Sequence, residues 1–265
     1  MLAARSVKLT NGTIASCRRA RLVTRKFAAT ASDTKNVRKR RLRFSSKTHE
    51  KIAAVANLAA QYYRERGRDF PWRHERDGFR LAVAEILLQK TRAESVVPVY
   101  ARIIASYPNA LALATADSGE IEAMLRPLGL SRKRSMQLIG MAEAVERLGT
   151  DVFEDWRETL DCVPGIGAYG ARAIACFRCD QKLGIVDVNV ARILRRVFRI
   201  SNGDVRAPIY QRYADAIGAA APDARATNFG LLDIGAGVCA TSPKCVICPL
   251  EAHCSRYRVR SRPET

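Results

Sequence analysis

Leu160 to Phe177, LDCVPGIGAYGARAIACF, holds the residue types needed to grip a phosphodiester. Pro164 fixes φ, while Gly165 and Gly167 permit φ above zero and leave backbone N–H groups bare to a ligand. The small-residue run behind them reads as a helix, so its positive N-terminal end and free amides face the same spot. Such a site holds an anion and carries no base information. Twenty residues beyond Gly167 stands Asp187, in the apolar-flanked run GIVDVNVARILRRVF. A backbone-gripping turn followed by a lone carboxylate points to chemistry on nucleic acid. Each piece also has a plainer reading: PGIG as an ordinary connection between helices, and Asp187 as the N-cap of the helix behind it.

A second constellation is Cys239-x5-Cys245-x2-Cys248-x5-Cys254, four cysteines within sixteen residues. Thiolates this close repel one another unless a cation neutralises them, and four can hold either Zn²⁺ or a [4Fe–4S] cluster. A zinc ribbon pairs two C-x-x-C knuckles across a long spacer. Here one knuckle stands between two outer cysteines, a loop that wraps around something larger, which favours iron–sulfur over zinc. The other cysteines are Cys17, Cys162, Cys176 and Cys179, and this clustering is unlike a secreted disulfide scaffold. Cys176 and Cys179 form another C-x-x-C, but in a small-residue helical run that suits packing.

The elements that must position these groups are helical; strand signals are few. An amphipathic helix is expected over 48–66, with Ile52, Val55, Ala56, Ala59 and Tyr63 on one face. FPWRHERDGF is a connector. Residues 81–107 give one or two apolar helices, interrupted at Pro98 and ended before Pro108. Further helices are expected over 117–126, 131–148, 155–162, 170–179, 190–198, 208–221 and 227–238. The fold class is all-α, about ten helices on short loops, with no internal repeat.

The chain has 265 residues and a formal net charge of +19, unevenly spread. Residues 1–47 carry 14 Lys and Arg against one acid, Asp33, leaving 31 basic against 25 acidic residues in the rest. The high charge is thus mainly a property of the tail, although a modestly positive body still suits a polyanion. The tail is expected to be a disordered basic extension. A DNA-binding arm, an organelle transit peptide and translation from an upstream start remain open readings of it. No window has the apolar length of a membrane span, so no membrane partner is expected.

Seven pieces in order, FPWRHERDGF, AEILLQKTRAESV, PLGLSRKRSMQL, VPGIGAYGARAIA, VDVNVARILRRVF, NFGLLDIGAGVC and the four cysteines, resemble the helix–hairpin–helix DNA glycosylases, the superfamily of endonuclease III and the A/G-mismatch adenine glycosylases. They span about residues 66–256. RDFPWRH, AEILLQKT, LGLSRKR and the tyrosine in PGIGAYGA look most like the T·G-mismatch thymine glycosylases. The resemblance implies a two-domain helical fold. A six-helix barrel (70–181) would carry the hairpin, and 48–69 with 182–265 would form a second domain bearing the cluster loop (239–254). The active-site cleft would lie between them. It also implies base excision repair of double-stranded DNA, with a base flipped into that cleft, by a protein expected to act as a monomer. The setting expected is the cytoplasm or nucleoid in a bacterium or, because of the basic N-terminal tail, the nucleus or an organelle in a eukaryote.

The roles implied follow the matched positions. Asp187 is the essential carboxylate, stabilising positive charge at C1′ and handling the attacking water. Asn189 helps position sugar phosphate or water. Tyr169 stands where bifunctional relatives carry a Schiff-base lysine, and a phenol cannot form an imine. Hydrolysis without strong lyase activity is therefore expected. Glu85, in the apolar run LAVAEILLQKT, is an acid whose burial would raise its pKa toward the general-acid range. Gly165 and Gly167 hold the phosphate, and Gln89 and Leu130 match the side chains that enter the vacated stack. Cys239, Cys245, Cys248 and Cys254 match the cluster ligands, with five residues between the first two where relatives typically have six. The expected target is thymine or uracil opposite guanine; the alternative is adenine in A·G or A·8-oxoguanine pairs. Adenine-releasing relatives usually have serine where Tyr169 stands and carry a further C-terminal domain, whereas eleven residues follow Cys254 here.

Overall fold

The computed structural model describes residues 44–154, 163–201, 203–204 and 206–256. Among the described residues ten α-helices appear in order: α1 (Ser46–Arg66), α2 (Gly78–Leu88), α3 (Ala93–Ser106), α4 (Ala110–Ala114), α5 (Ser118–Leu125), α6 (Ser131–Leu148), α7 (Ala168–Cys179), α8 (Val188–Phe198), α9 (Pro208–Ala220) and α10 (Ala224–Asp233). Among the described residues there is no strand. The sequence-expected helix at 155–162 and most of the basic extension, through residue 43, lie outside the described residues.

Local chemistry sets the helix starts. Ser45, Asp77, Asn109, Asp117, Asp187 and Asp223 each cap a helix with a side-chain oxygen that accepts from a first-turn N–H. The Ser45 cap carries α1 into Ser46 and Lys47, which the charge boundary had placed in the extension. Phe44 is part of the folded body too, its ring 4.8 Å from that of Tyr213.

Packing falls into two groups. In one, α1 lies against α10 and α9, burying Ile52, Val55, Ala56, Ala59 and Ala60. The approach is close because Gly230 has no side chain: a Cβ there would overlap the Ala59 carbonyl oxygen. In the other, α2 packs on α3, α6 and α7, and α6 on α4 and α5. Each fully buried Leu or Ile of this core, such as Ile86, Leu87 and Leu138, contributes about 1.5–3 kcal/mol.

Two expectations need correction. The apolar stretch 81–107 breaks at residues 89–92, not at Pro98, which lies inside α3. The break is where backbone hydrogen bonds are replaced from elsewhere: Lys90 takes φ 55° and Arg134 reaches in to hold the turn. The short helix α4, not anticipated, follows from the Asn109 cap, whose Oδ1 accepts from Ala112 N–H at 2.9 Å. Elsewhere the periodicity placed helices to within a few residues. The last helix starts earlier, at Ala224, and ends at Asp233 in one wider π-type turn, Ile234–Val238.

Candidate active site

The hairpin folds as its residue types dictate. Val163 to Gly165 form a turn closed by Ile166 N–H donating to the Val163 carbonyl at 3.1 Å. Gly165 has φ 80°, and a Cβ there would stand 2.9 Å from Gln137 and 3.0 Å from Ile86, so only glycine fits. Gly167 departs from expectation: its φ is −99°, ordinary extended backbone, and it caps α7 with open space in front of it. Its contribution is exposure of the helix N-terminus, with no conformational strain.

Glu85, Gln89, Gly165, Gly167, Tyr169 and Asp187 line one cavity of about 460 Å³, open to solvent and within the range of ligand pockets. Six residues chosen from three separate stretches of sequence thus meet at one place. A deeper recess of about 150 Å³ adjoins it through Glu85, Tyr169 and Asp187 and continues to Asn189, Phe70 and Trp72. Leu130 lines neither. It stands 57 % exposed on the turn before α6, at φ 51°. The cavity rim carries Gln89, whose Nε2 donates to the Gly165 carbonyl at 2.7 Å. Exposed Lys90, Arg92, Arg132 and Lys133 lie on or beside the two turns.

Asp187 is both N-cap and cavity wall. Its Oδ1 accepts from the N–H groups of Asn189 (2.9 Å) and Val190 (2.7 Å), and its Oδ2 from Asn189 Nδ2 (2.9 Å). A carboxylate accepts about four hydrogen bonds, so roughly one site remains on Oδ2. Asn189 therefore grips the carboxylate itself, which the sequence did not suggest, and its own Oδ1 accepts from Arg192 Nη2 at 2.6 Å. The extended stretch leading to Asp187 is pinned from three sides. Buried Asn228 accepts from Ile185 N–H at 3.0 Å and donates to the Leu183 carbonyl at 2.9 Å. Arg172 and Gln211 both donate to the Gly184 carbonyl.

Glu85 keeps partial access to the cavity but is otherwise surrounded by the apolar face of α2, and burial pushes its carboxyl up to about 8. Tyr169 is 38 % exposed and lines both the cavity and the recess. There burial, then the charges of Glu85 and Asp187, push the phenol well above its usual pKa, against the opposing pull of Arg73. Tyr169 is thus a neutral phenol at any physiological pH. Arg73, which lines the recess, donates from Nη1 and Nη2 to the two oxygens of Asp233, both at 2.7 Å, and Arg68 adds two contacts, from its backbone N–H and its Nε. Arg73 also lies 4.7 Å over the Phe229 ring. Burial alone would raise Asp233, but the hydrogen bonds and charge of Arg73, with Arg68, outweigh it and hold the carboxyl below its ordinary value.

The four cysteines line a cavity of their own with Arg196 and Lys244. Among the described residues, no group of three or more His, Cys, Asp or Glu side chains is arranged to hold a metal ion. Burial raises the Cys248 thiol to about 11, and the neighbouring Cys239, Cys254 and Cys245 add to the rise, which places the four side chains close together. The loop is tied to α8: Arg192 Nε donates to the Cys239 carbonyl at 2.7 Å, and buried Arg196 to that carbonyl and to Ala240 and Thr241. One helix therefore begins at Asp187 and holds the cysteine loop along its length. Cys176 is buried and accepts from Asn228 Nδ2, in keeping with a packing role.

Sequence reasoning missed Arg134, Arg192, Arg196 and Asn228. All four lie in the quoted stretches PLGLSRKRSMQL, VDVNVARILRRVF and NFGLLDIGAGVC, but the stretches do not say which carbonyls of distant segments the arginines bind.

Comparison with known proteins fits this geometry. The chain is 34 % identical over 213 residues to the thymine-DNA glycosylase of Aeropyrum pernix, covering 78 % of this chain and 96 % of that one. It is 37 % identical over 207 residues to the adenine DNA glycosylase of Mycolicibacterium smegmatis, covering 76 % and 69 %. A solved thermostable thymine-DNA glycosylase superposes with a TM-score of 0.74 at 30 % identity, over 80 % of this chain and 99 % of that one. The model of the HhH-GPD superfamily matches residues 83–215, and the chain belongs to that superfamily of base excision DNA repair proteins.

Proposed function

We propose that this chain is a monofunctional DNA glycosylase that extrudes a mismatched base and hydrolyses its N-glycosidic bond, with thymine or uracil opposite guanine as the target. The observation that carries the proposal is the single cavity shared by Glu85, Tyr169, Asp187 and the glycine turn. The amides around Gly165 and Gly167 hold the phosphate backbone of the extruded nucleotide. The base enters the recess beside Tyr169, where the protonated Glu85 carboxyl donates to a base carbonyl and favours its departure.

The C1′–N bond then breaks with its electron pair passing to the base. The ionised carboxylate of Asp187 stabilises the positive charge left on the sugar. Water adds its oxygen to C1′. Its proton passes through the carboxylate to solvent, and the departing base takes up one proton in exchange. Asn189 and the two backbone amides hold the carboxylate in one orientation throughout. Because Tyr169 cannot form an imine, the product is an abasic site with an intact backbone.

Cys239, Cys245, Cys248 and Cys254 would hold a [4Fe–4S] cluster, whose contribution when bound is to fold the loop and present Lys244 and Arg256 toward phosphates. Zinc is the alternative occupant. Adenine opposite guanine or 8-oxoguanine is the second reading of the target. It is favoured by one feature, since a carboxyl raised to about 8 could also protonate a purine.

Duplexes bearing T·G, U·G, A·G, A·8-oxoguanine and thymine glycol decide among these. Strand breakage at T·G and U·G only after alkali is expected. Breakage at the adenine pairs alone would move the assignment to the second reading, and breakage without alkali would remove the monofunctional one. A brown protein with broad visible absorption is expected for the cluster; a colourless zinc protein would overturn it.

A further inference from the structure

Arg134 is buried, 2 % exposed, although a guanidinium is among the groups least suited to burial. Among the described residues it has no carboxylate partner. Its Nη1 donates to the carbonyls of Leu128 (2.7 Å) and Gly129 (2.6 Å), and its Nη2 to the Gln89 carbonyl (2.6 Å) and to Thr91 Oγ1. One planar fork thus spans two turns that are forty residues apart in sequence. Both turns need outside support, since Lys90, Gly129 and Leu130 have φ of 55°, 70° and 51°. Its Nε has no partner, and burial lowers its pKa. A cation matched only by neutral oxygens is a weak device for stability, because an apolar side chain of similar size often folds as well. What it supplies is geometry.

We propose that Arg134 is a positioning residue that fixes the Gln89 turn and the Leu130 turn at one separation, so that both side chains enter the opened base stack together. The inference rests on the glycosylase reading for what those side chains do. Without the fork, each turn relaxes by itself. Gln89 then keeps its bond to Gly165, but Leu130 no longer stands at a fixed distance from it. Errors of about 1 Å at such a site cost up to roughly 100-fold. Lysine does not substitute, since one ammonium lacks the planar pair of donors that reaches both turns.

The test is a duplex with 2-aminopurine beside a T·G mismatch. Its fluorescence reports base extrusion, and alkali-labile product measures cleavage separately. Arg134→Met and Arg134→Lys are compared with the native protein at a temperature where circular dichroism shows each folded. In both variants the extrusion signal and the cleavage rate are expected to fall together by about tenfold, with affinity for the duplex changed much less. Native-like extrusion in folded R134M would overturn the clamp, as would full recovery in R134K, which keeps the charge alone. If R134M does not fold, R134K decides. A native protein that extrudes the base without cleaving it leaves the clamp standing and removes the glycosylase reading; one that does not perturb the base removes both.

Discussion

A carboxyl whose pKa sits at about 8 is a proton donor at neutral pH, and Glu85 gains that property from the company it keeps on α2. In the unfolded chain the same group ionises in the ordinary glutamate range. Between that range and about 8 the folded state therefore holds a proton that the unfolded state has released, and stability falls as pH rises across this window. Glu85→Gln keeps a donor and removes the titration. Single-turnover cleavage by the native protein is expected to decline above about pH 8, and E85Q to lose that decline. Denaturant unfolding at pH 5 and pH 9 should show E85Q gaining on the native protein only at the higher pH. A decline that persists unchanged in E85Q would assign it to another group. Glu85 was legible because a lone acid stood out in an apolar run. Asp187 was legible only in part: cap and cavity carboxylate compete as readings in sequence, whereas the structure makes it both. Arg134, Arg192 and Arg196 were not legible, because which backbone carbonyls a guanidinium will meet is decided by tertiary packing.

The helices follow from apolar periodicity and capping residues, and their boundaries fell within a few residues wherever both signals were present. The exception is the α2–α3 boundary. Pro98 cost α3 a single hydrogen bond, while the true break at 89–92 depends on Arg134, which no local signal announces. At this scale the Arg73–Asp233 pair joins the segment before α2 to the end of α10 and holds Arg73, which lines the recess. Breaking a buried pair from one side costs about 3–5 kcal/mol. Asp233→Asn is expected to lower unfolding stability by that order at neutral pH. Asp233 is held below its ordinary value, so the pair's contribution is complete above the unfolded carboxylate range and is lost as pH falls through the depressed pKa. The native protein and D233N should therefore converge in acid. Urea titrations of the two at pH 7 and pH 3 check this, and equal stability at pH 7 would exclude the pair as a structural link.

Across the whole molecule, the order of motifs was legible, but the way they converge was not. Seven short stretches gave the superfamily, since their order along the chain is specific even where each is not. That Asn189 would hold the carboxylate and that α8 would span from Asp187 to the cysteine loop required coordinates. Charge distinguished a modestly basic body from a strongly basic N-terminal stretch of sequence, and the body's exposed Lys90, Arg92, Arg132 and Lys133 lie on or beside the two turns. The glycosylase reading depends on a carboxylate at the anomeric carbon of an extruded nucleotide. Asp187→Asn isolates it, because asparagine also caps a helix and the fold should survive. The decisive assay is base release from a T·G duplex under single-turnover conditions, with binding to the same duplex measured in parallel. Native-like binding with release slowed by about 100-fold or more is expected for D187N. Release at the native rate would show that the reaction proceeds without this carboxylate.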